Sequence, residues 1–198
     1  MMGKHMSCRA VVIMTPFLLA ACGGGGGGGA NTEPVDFSTA DAAAAALIDQ
    51  YVDANGNAAT GQTRSNSFLQ TGTVNYAGAF NGNLGGNGVV GDVTIAVAFG
   101  GGDVTGSLRN LQNEASGAYT GSLQASGSLN KDATALEPQM SLTFDGSLGN
   151  SSGAQAVTLL LDGNFFAHDG NPEGAVAGPV DGTIGGVLLD DGLFAAED

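Results

Sequence analysis

Residues 139–147 read QMSLTFDGS, and apolar side chains alternate with polar ones along this stretch. Met140, Leu142 and Phe144 would lie on one face of an extended chain, because successive side chains of a β-strand point to opposite faces. Polar neighbours such as Thr143 would lie on the other face. This period of two residues predicts a half-buried β-strand.

The same period continues on both sides of this stretch, from residue 72 to residue 198. Alternating segments are separated by turns rich in Gly, Asn and Asp, which are the residues that favour tight turns. We predict eight strands, at residues 73–80, 89–99, 104–109, 118–126, 139–147, 155–166, 173–184 and 186–196.

Eight successive strands with short connections predict an all-β fold, namely an eight-stranded antiparallel up-and-down soluble β-barrel with one short N-terminal helix. Closure of the sheet removes the exposed strand edges. The interior of such a barrel holds side chains or one small ligand. Glycines on the face of the large apolar residues would make room for bulky side chains such as Tyr76 and Tyr119; these glycines are Gly78, Gly106, Gly121, Gly178 and Gly182.

An outer-membrane barrel is the alternative architecture. Its apolar face would point toward lipid, aromatic residues would mark both membrane interfaces, and its interior would be polar. The chain has no Trp and only three Tyr, and it ends in Glu197 and Asp198 without a terminal aromatic residue. These features favour a soluble barrel with its apolar face inward.

The composition excludes several classes of protein. Glycine supplies 35 of the 198 residues, and each glycine inside a helix costs about 1 kcal/mol, so a helical bundle is excluded. All nineteen acidic residues follow Cys22, whereas the same region holds three cations, Arg64, Arg109 and Lys131. A chain this acidic repels phosphate backbones, and we expect no nucleic-acid partner.

Residues 1–21 have the composition of a signal peptide. Two of the five basic residues lie in the first nine positions, and residues 10–20 form an apolar run too short to span a bilayer. Residues 19–22, Leu-Ala-Ala-Cys, resemble the lipobox of bacterial lipoproteins. The resemblance implies cleavage after Ala21 and acylation of Cys22 with palmitate-type chains, of which two or more anchor a protein firmly. An ordinary secretory signal with an incidental cysteine is the alternative.

The N-terminal third divides into short regions before the barrel begins. Seven consecutive glycines follow Cys22, and such a run behaves as a flexible tether. Residues 38–41, Ser-Thr-Ala-Asp, are close to a helix capping box, and Asn55-Gly56 predicts where the helical region stops. The predicted organisation is a lipoprotein signal peptide at 1–21, the lipidated cysteine and glycine-rich tether at 22–36, a short helix with a polar connector at 37–71, and the barrel at 72–198.

Three stretches carry a family resemblance that covers about residues 70–198. Residues 72–78 (GTVNYAG), residues 161–166 (LDGNFF) followed by 173–178 (EGAVAG), and residues 192–196 (GLFAA) resemble strands of the β-barrel domain of transferrin-binding protein B. The resemblance implies a surface lipoprotein of the outer membrane that is held by a flexible N-terminal segment and captures host proteins or iron carriers. The expected molecule has a single barrel without handle domains, and the resemblance assigns no ligand-contact residue.

Two sequence motifs of enzymes occur in contexts that do not suit them. Gly86, Gly88 and Gly91 match a dinucleotide fingerprint, but a predicted strand follows where the mechanism needs the N-terminus of a helix. Residues 149–153 (GNSSG) match a nucleophile elbow, but they lie between two predicted strands. We interpret both as hairpin turns.

The titratable clusters carry no clear chemistry in the sequence. His168, Asp169 and Glu173 lie in one predicted turn, and one imidazole with two carboxylates is a weak metal signal that we interpret as a solvated loop. The pairs 190–191 and 197–198 are adjacent acids, which would point to opposite faces of a strand. We therefore expect no catalytic residue, no metal site and no cofactor.

These observations favour a lipid-anchored, non-enzymatic binding protein of the cell envelope. It would present its loops or its lumen to a protein or to an iron-bearing ligand such as haem or an iron carrier. The membrane would be its partner through the lipid on Cys22, in the outer membrane, with the surface or periplasmic face left open. The alternative is a structural envelope lipoprotein with no soluble ligand.

Overall fold

The computed structural model describes residues 35–66, 68, 71–134 and 136–198. The predicted signal peptide, the tether up to residue 34 and Cys22 lie outside the described residues. Among the described residues, no helix has the length and apolarity needed to cross a membrane. The elements are α1 Phe37–Ile48, β1 Thr73–Leu84, β2 Asn87–Ala98, β3 Asp103–Asn113, β4 Gly117–Ala118, β5 Leu123–Leu129, β6 Met140–Asn150, β7 Gly153–His168, β8 Asn171–Ile184 and β9 Val187–Glu197.

Helix α1 begins after an acidic N-cap. The carboxylate of Asp36 accepts a hydrogen bond from the backbone N–H of Thr39, at 3.1 Å, and from the hydroxyls of Ser38 and Thr39. These donors hold the pKa of Asp36 at about 2. The prediction of a cap at Ser38 was wrong, because the Asp36 carboxylate already satisfies the free N–H of the first turn. The helix ends at Ile48, before the predicted stop at Asn55-Gly56.

The nine strands form a single antiparallel sheet that closes into a ring. The order along the sheet is β2-β1-β9-β8-β7-β6-β5-β3-β4, and β2 also pairs with β3. The two-residue strand β4 pairs with the end of β3 and adds no further member to the ring. The all-β antiparallel prediction is confirmed, and each predicted segment overlaps a strand.

The fourth predicted strand, 118–126, is broken in two. Thr120 lies between β4 and β5 and pairs with Gly149 through backbone hydrogen bonds of 2.7 and 2.9 Å in both directions. Gly121 then takes a φ of +105°, which glycine adopts at little cost. The chain thus leaves β3 at Thr120 and pairs there with β6. The alternation of apolar and polar residues does not indicate such a change of pairing partner.

Apolar side chains fill the interior of the ring. The strands contribute a continuous buried cluster in which Phe80, Phe144, Phe165 and Phe194 are fully buried. Outward residues such as Asp145 are exposed. The apolar faces therefore point inward, as the favoured barrel predicted.

Inward glycines have the predicted role at some positions and a different one at others. A Cβ atom on Gly106 would lie 2.8 Å from Leu142 Cδ2, so this glycine does make room for a large side chain. At Gly78 and Gly178 a Cβ atom would collide instead with the carbonyl oxygens of neighbouring strands, Ala195 and Asp162. These two glycines permit close approach of backbones.

A second, smaller apolar cluster lies on the outer face of the ring. Ile48, Tyr51 and Val52, from the end of α1 and the residues after it, pack on Phe166 and on three alanines of the sheet, Ala175, Ala177 and Ala195. At the other end of α1, the Val35 carbonyl accepts a hydrogen bond from Gln112 Nε2, at 3.1 Å. The segment from Val35 to Val52, which contains α1, therefore lies along the outer face of the ring.

We name the two ends of the ring by their connections. The short-turn end carries the tight turns at 85–86, 151–152 and 185–186 and also Val35. The loop end carries the connections at 99–102, 130–139 and 169–170.

Candidate functional site

The polar connector after α1 completes the sheet at the loop end. β7 extends past the start of β6 at Met140, which pairs with Gly163. On this extension Arg64 pairs with Phe166, and the Ser65 N–H donates to the Phe165 carbonyl, at 2.7 Å. Gln139 fastens this arrangement. Its amide nitrogen donates to the Ser65 carbonyl at 2.7 Å, and its amide oxygen accepts from the Phe165 N–H at 2.8 Å. With 3% of its surface exposed, Gln139 forms bonds that are shielded from water.

Phe68, from the same connector, covers the interior at the loop end. Its ring packs edge-on against Phe165, with centroids 5.8 Å apart, and lies 6.3 Å from the ring of Phe99. Tyr76 extends this aromatic group and donates from its hydroxyl to the Glu173 carbonyl at 2.6 Å. The group buries the end of the core beneath the connector.

A groove of about 310 Å³ lies between the connector and the 130–139 loop. Two of the three cations of residues 22–198 line it. Arg64 Nη1 donates to the Thr134 carbonyl at 2.8 Å, and Lys131 Nζ donates to the Gly100 carbonyl at 3.3 Å. The lining residues are Thr63, Arg64, Asn66, Phe68, Lys131, Ala133 and Gln139. We call this feature the cationic groove.

The two cations of the groove are held by neutral partners. Within the described residues, the ion pairs shorter than 4.0 Å all involve His168, so neither Arg64 nor Lys131 has a carboxylate at that distance. Burial lowers the pKa of Arg64, and Glu137 acts in the opposite direction. Glu137 itself accepts a hydrogen bond from the Thr134 N–H, at 2.9 Å, which helps to lower its pKa.

A second polar cluster lies on the outer face near the loop end. The Tyr51 hydroxyl donates to Glu197 Oε1 at 2.5 Å and lies 2.8 Å from His168 Nδ1. The His168 Nδ1 and Glu197 Oε1 atoms are 3.5 Å apart. Burial, followed by the Glu197 carboxylate, raises the pKa of Tyr51, so its phenol keeps its proton. This cluster joins the residue that follows α1 to the ends of β7 and β9.

His168, Asp169 and Glu173 do not lie together in one solvated loop. His168 ends β7 and Asp169 lies in the turn, with its Oδ2 atom 3.7 Å from His168 Nε2. Glu173 has 2% of its surface exposed, and burial raises the pKa of its carboxyl. The interpretation as a solvated loop was therefore wrong for Glu173. No group of three His, Cys, Asp or Glu side chains in the described part of the chain is arranged to bind a metal ion.

Both enzyme-like motifs lie in hairpins. Gly86 is the second residue of the two-residue turn between β1 and β2, whereas Gly88 and Gly91 lie within β2. Residues 151–152 form the turn between β6 and β7. The predictions of hairpin turns are confirmed for Gly86 and for residues 151–152, whereas Gly88 and Gly91 belong to the following strand.

The prediction for Asp190 and Asp191 was wrong, because both are exposed. The pairing of β9 shifts register here against both β1 and β8, and Asp191 takes a φ of +52°. One extra residue in a strand interrupts the alternation of faces. Leu189 points inward before this bulge and Phe194 after it, so two successive acids lie outside.

The sequence indicated neither the cationic groove nor the Tyr51 cluster as a site. The composition did show that only three cations follow Cys22. Two of these, Arg64 and Lys131, are the cations that meet in the groove. Nothing local indicated that Tyr51 would meet residues more than a hundred positions away.

No protein-family model matches this chain, and no curated protein or solved structure matches it. The resemblance to the barrel domain of transferrin-binding protein B stays a prediction.

Proposed function

We propose that this protein is a lipid-anchored binding protein of the cell envelope, built as an eight-stranded soluble β-barrel that resembles the barrel domain of transferrin-binding protein B. The leader and lipobox at residues 1–22 support the anchor. The closed antiparallel ring supports the barrel. Its ligand would be a protein or an iron-bearing molecule, held without a catalytic step.

The filled interior is the observation that carries the proposed mode of binding. Aromatic and aliphatic side chains occupy the space inside the ring, and Phe68 covers them at the loop end. A ligand would therefore contact loops and not enter a lumen. The loop end offers irregular connections and the cationic groove, whereas the short-turn end offers mainly tight turns.

The position at which the tether joins the ring also supports ligand contact at the loop end. Val35 lies at the short-turn end, where its carbonyl is held by Gln112. The thirteen residues from Cys22 to Pro34 would span at most about 45 Å. A lipid anchor on Cys22 would therefore be connected to the ring at its short-turn end, whereas the loop end carries no tether.

The anchor is tested by replacing the acylated thiol. Cys22→Ser should move the protein from the membrane fraction to the soluble fraction, and mass spectrometry of the native protein should find acyl chains on Cys22. Cys8→Ser is the matched control, because Cys8 would be removed with the signal peptide. Equal membrane retention of both variants, with an unmodified Cys22, would contradict the anchor.

Ligand capture is tested with the purified full chain on panels of haem, iron carriers and host serum proteins. We expect one class to be retained, and substitutions in the 130–139 loop to weaken retention more than substitutions in the turn at 151–152. If nothing is retained and deletion of the protein causes an envelope defect without an uptake defect, the structural alternative is favoured.

A further inference from the structure

We propose that the cationic groove is a binding site for a small organic carboxylate. The proposal deepens the proposed function and rests on it in one respect, because the groove lies at the loop end, where the proposed function places ligand contact. The occupant is defined by its chemistry, namely one carboxylate on a compact apolar body.

The first argument is the placement of charge. The described residues contain three cations among a large excess of carboxylates, and two of those cations line one groove. With such an excess of acids, cations are expected to find acidic partners on the protein itself. Arg64 and Lys131 instead donate to backbone carbonyls, so their positive charge is available to an anion.

The second argument is that Arg64 and Lys131 keep N–H donors that these hydrogen bonds do not use. A guanidinium carries five N–H donors and an ammonium carries three. Arg64 uses donors on the Thr134 and Ala133 carbonyls, at 2.8 and 3.5 Å, and Lys131 uses one on the Gly100 carbonyl. The remaining donors can hold a carboxylate, and a planar guanidinium suits its two oxygens.

The third argument is that the groove is preorganised. The backbone of Arg64 pairs with Phe166, and the buried amide of Gln139 holds the next residue of the connector in place. A site whose main chain is already fixed loses less conformational entropy on binding. The hydrogen bond that the Thr134 N–H donates to the Glu137 carboxylate likewise holds these two residues of the facing loop together, and the same loop carries the exposed Asp132. These two acids are the charges of that loop with which a bound carboxylate would compete.

The size and lining of the groove select a small ligand. Its volume of about 310 Å³ is at the low end for small-molecule sites. Phe68 and Ala133 supply apolar surface, while Thr63 and Asn66 supply polar groups. A carboxylate on an aromatic ring would match both parts of this lining.

The test is a titration of the purified full chain with benzoate, in which equilibrium dialysis measures the bound fraction. Benzamide, which has the same shape without the charge, and inorganic phosphate, which has the charge without the ring, are the comparison probes. We expect saturable binding of benzoate. Benzamide should bind at least about tenfold more weakly, because a hydrogen bond to a charged group is worth that much. Phosphate should also bind more weakly, because it makes no apolar contact with Phe68 and Ala133.

The variants separate the groove from the general field of the protein. Arg64→Gln should weaken benzoate binding by about tenfold or more and Lys131→Gln by about threefold or more. Arg109→Gln removes the same charge from an exposed position of β3, outside the groove, and should change affinity by less than about twofold. Circular dichroism checks that each variant folds. If Arg64→Gln does not fold, Lys131→Gln still tests the proposal.

Three outcomes would overturn the proposal. These are the absence of saturable benzoate binding, equal binding of benzamide or of phosphate, and equal loss in Arg109→Gln and in the groove variants. None of them bears on the anchor or on the ligand panels, because those tests do not use benzoate. Failure of the panels with intact benzoate binding would contradict the proposed function and leave the groove in place.

Discussion

At the scale of single residues, Glu173 links the fold to pH. It lies near the start of β8 with 2% of its surface exposed, and burial raises the pKa of its carboxyl above the ordinary value of 4.5. The folded state therefore binds a proton at this position more tightly than the unfolded state does. The free energy of unfolding must fall as pH rises from about 4.5 through the folded pKa, because ionisation in the folded state is penalised.

We predict that Glu173→Gln stabilises the protein at pH 7. The amide carries no charge, so the penalty for ionisation disappears, and we expect the Tm at pH 7 to rise by about 2–4 °C. The advantage over the native chain should shrink as pH falls toward 4, where the native carboxyl is protonated. Thermal unfolding between pH 4 and pH 8 measures this.

Asp145→Asn is the matched control for Glu173→Gln. It removes one negative charge from an exposed position on β6 and so reports the general effect of net charge. An equal rise in Tm for both variants at pH 7 would show that burial of Glu173 has no specific effect.

At the scale of elements, one tyrosine joins the helical segment to the sheet. Tyr51 follows α1 and packs on Phe166, with ring centroids 5.9 Å apart. Its hydroxyl bonds to Glu197 and to His168, at the ends of β9 and β7. The segment after α1 is thus held by both apolar burial and charge-assisted hydrogen bonding.

We predict that Tyr51→Phe lowers the free energy of unfolding by about 1.5–3 kcal/mol, because it removes the donor to a partly buried carboxylate. Hydrogen exchange should increase most at Val52 and Ala59, whose N–H groups donate to the Ile48 and Tyr51 carbonyls. Tyr119→Phe is the control, because the Tyr119 hydroxyl has no hydrogen bond within the described residues and should cost much less. Equal losses in the two variants would contradict a role for the Tyr51 hydroxyl.

At the scale of the whole molecule, ring closure sets how much side-chain volume the interior accepts. Gly163 on β7 illustrates this limit. A Cβ atom there would lie 2.8 Å from Val176 Cγ2, 2.9 Å from Phe194 Cζ and 3.2 Å from Met140 Cγ. These atoms belong to three different strands, so no single side chain can move to relieve the contact.

We predict that Gly163→Ala destabilises the protein by about 1–3 kcal/mol through overpacking. Gly101→Ala is the matched control, since a Cβ atom there would meet only the end of the flexible Asp103 side chain, at 3.2 Å. Denaturant unfolding of both variants measures the difference. A cost for Gly101→Ala equal to that for Gly163→Ala would mean that interior packing is not the cause.

The amino-acid sequence alone determined the strands, the hairpins and the inward apolar faces. These depend on the alternation of neighbouring residues and on turn residues such as Gly85 and Gly86, and both are local properties. The lipobox at Cys22 is local too, and it stays a prediction. Alternation failed where the chain changes partner at Thr120 and where a bulge exposes both Asp190 and Asp191, because pairing between strands decides those positions.

Only the tertiary structure decided the candidate sites. Arg64 meets Phe166, and Tyr51 meets Glu197, because the segment before β1 packs on the sheet and brings together residues about a hundred or more positions apart. The burial of Glu173 and the covering of the interior by Phe68 also depend on contacts between distant segments. A side chain's distance to remote groups and its exposure to water depend on which segments become neighbours in space, and the order of residues along one strand does not contain that information.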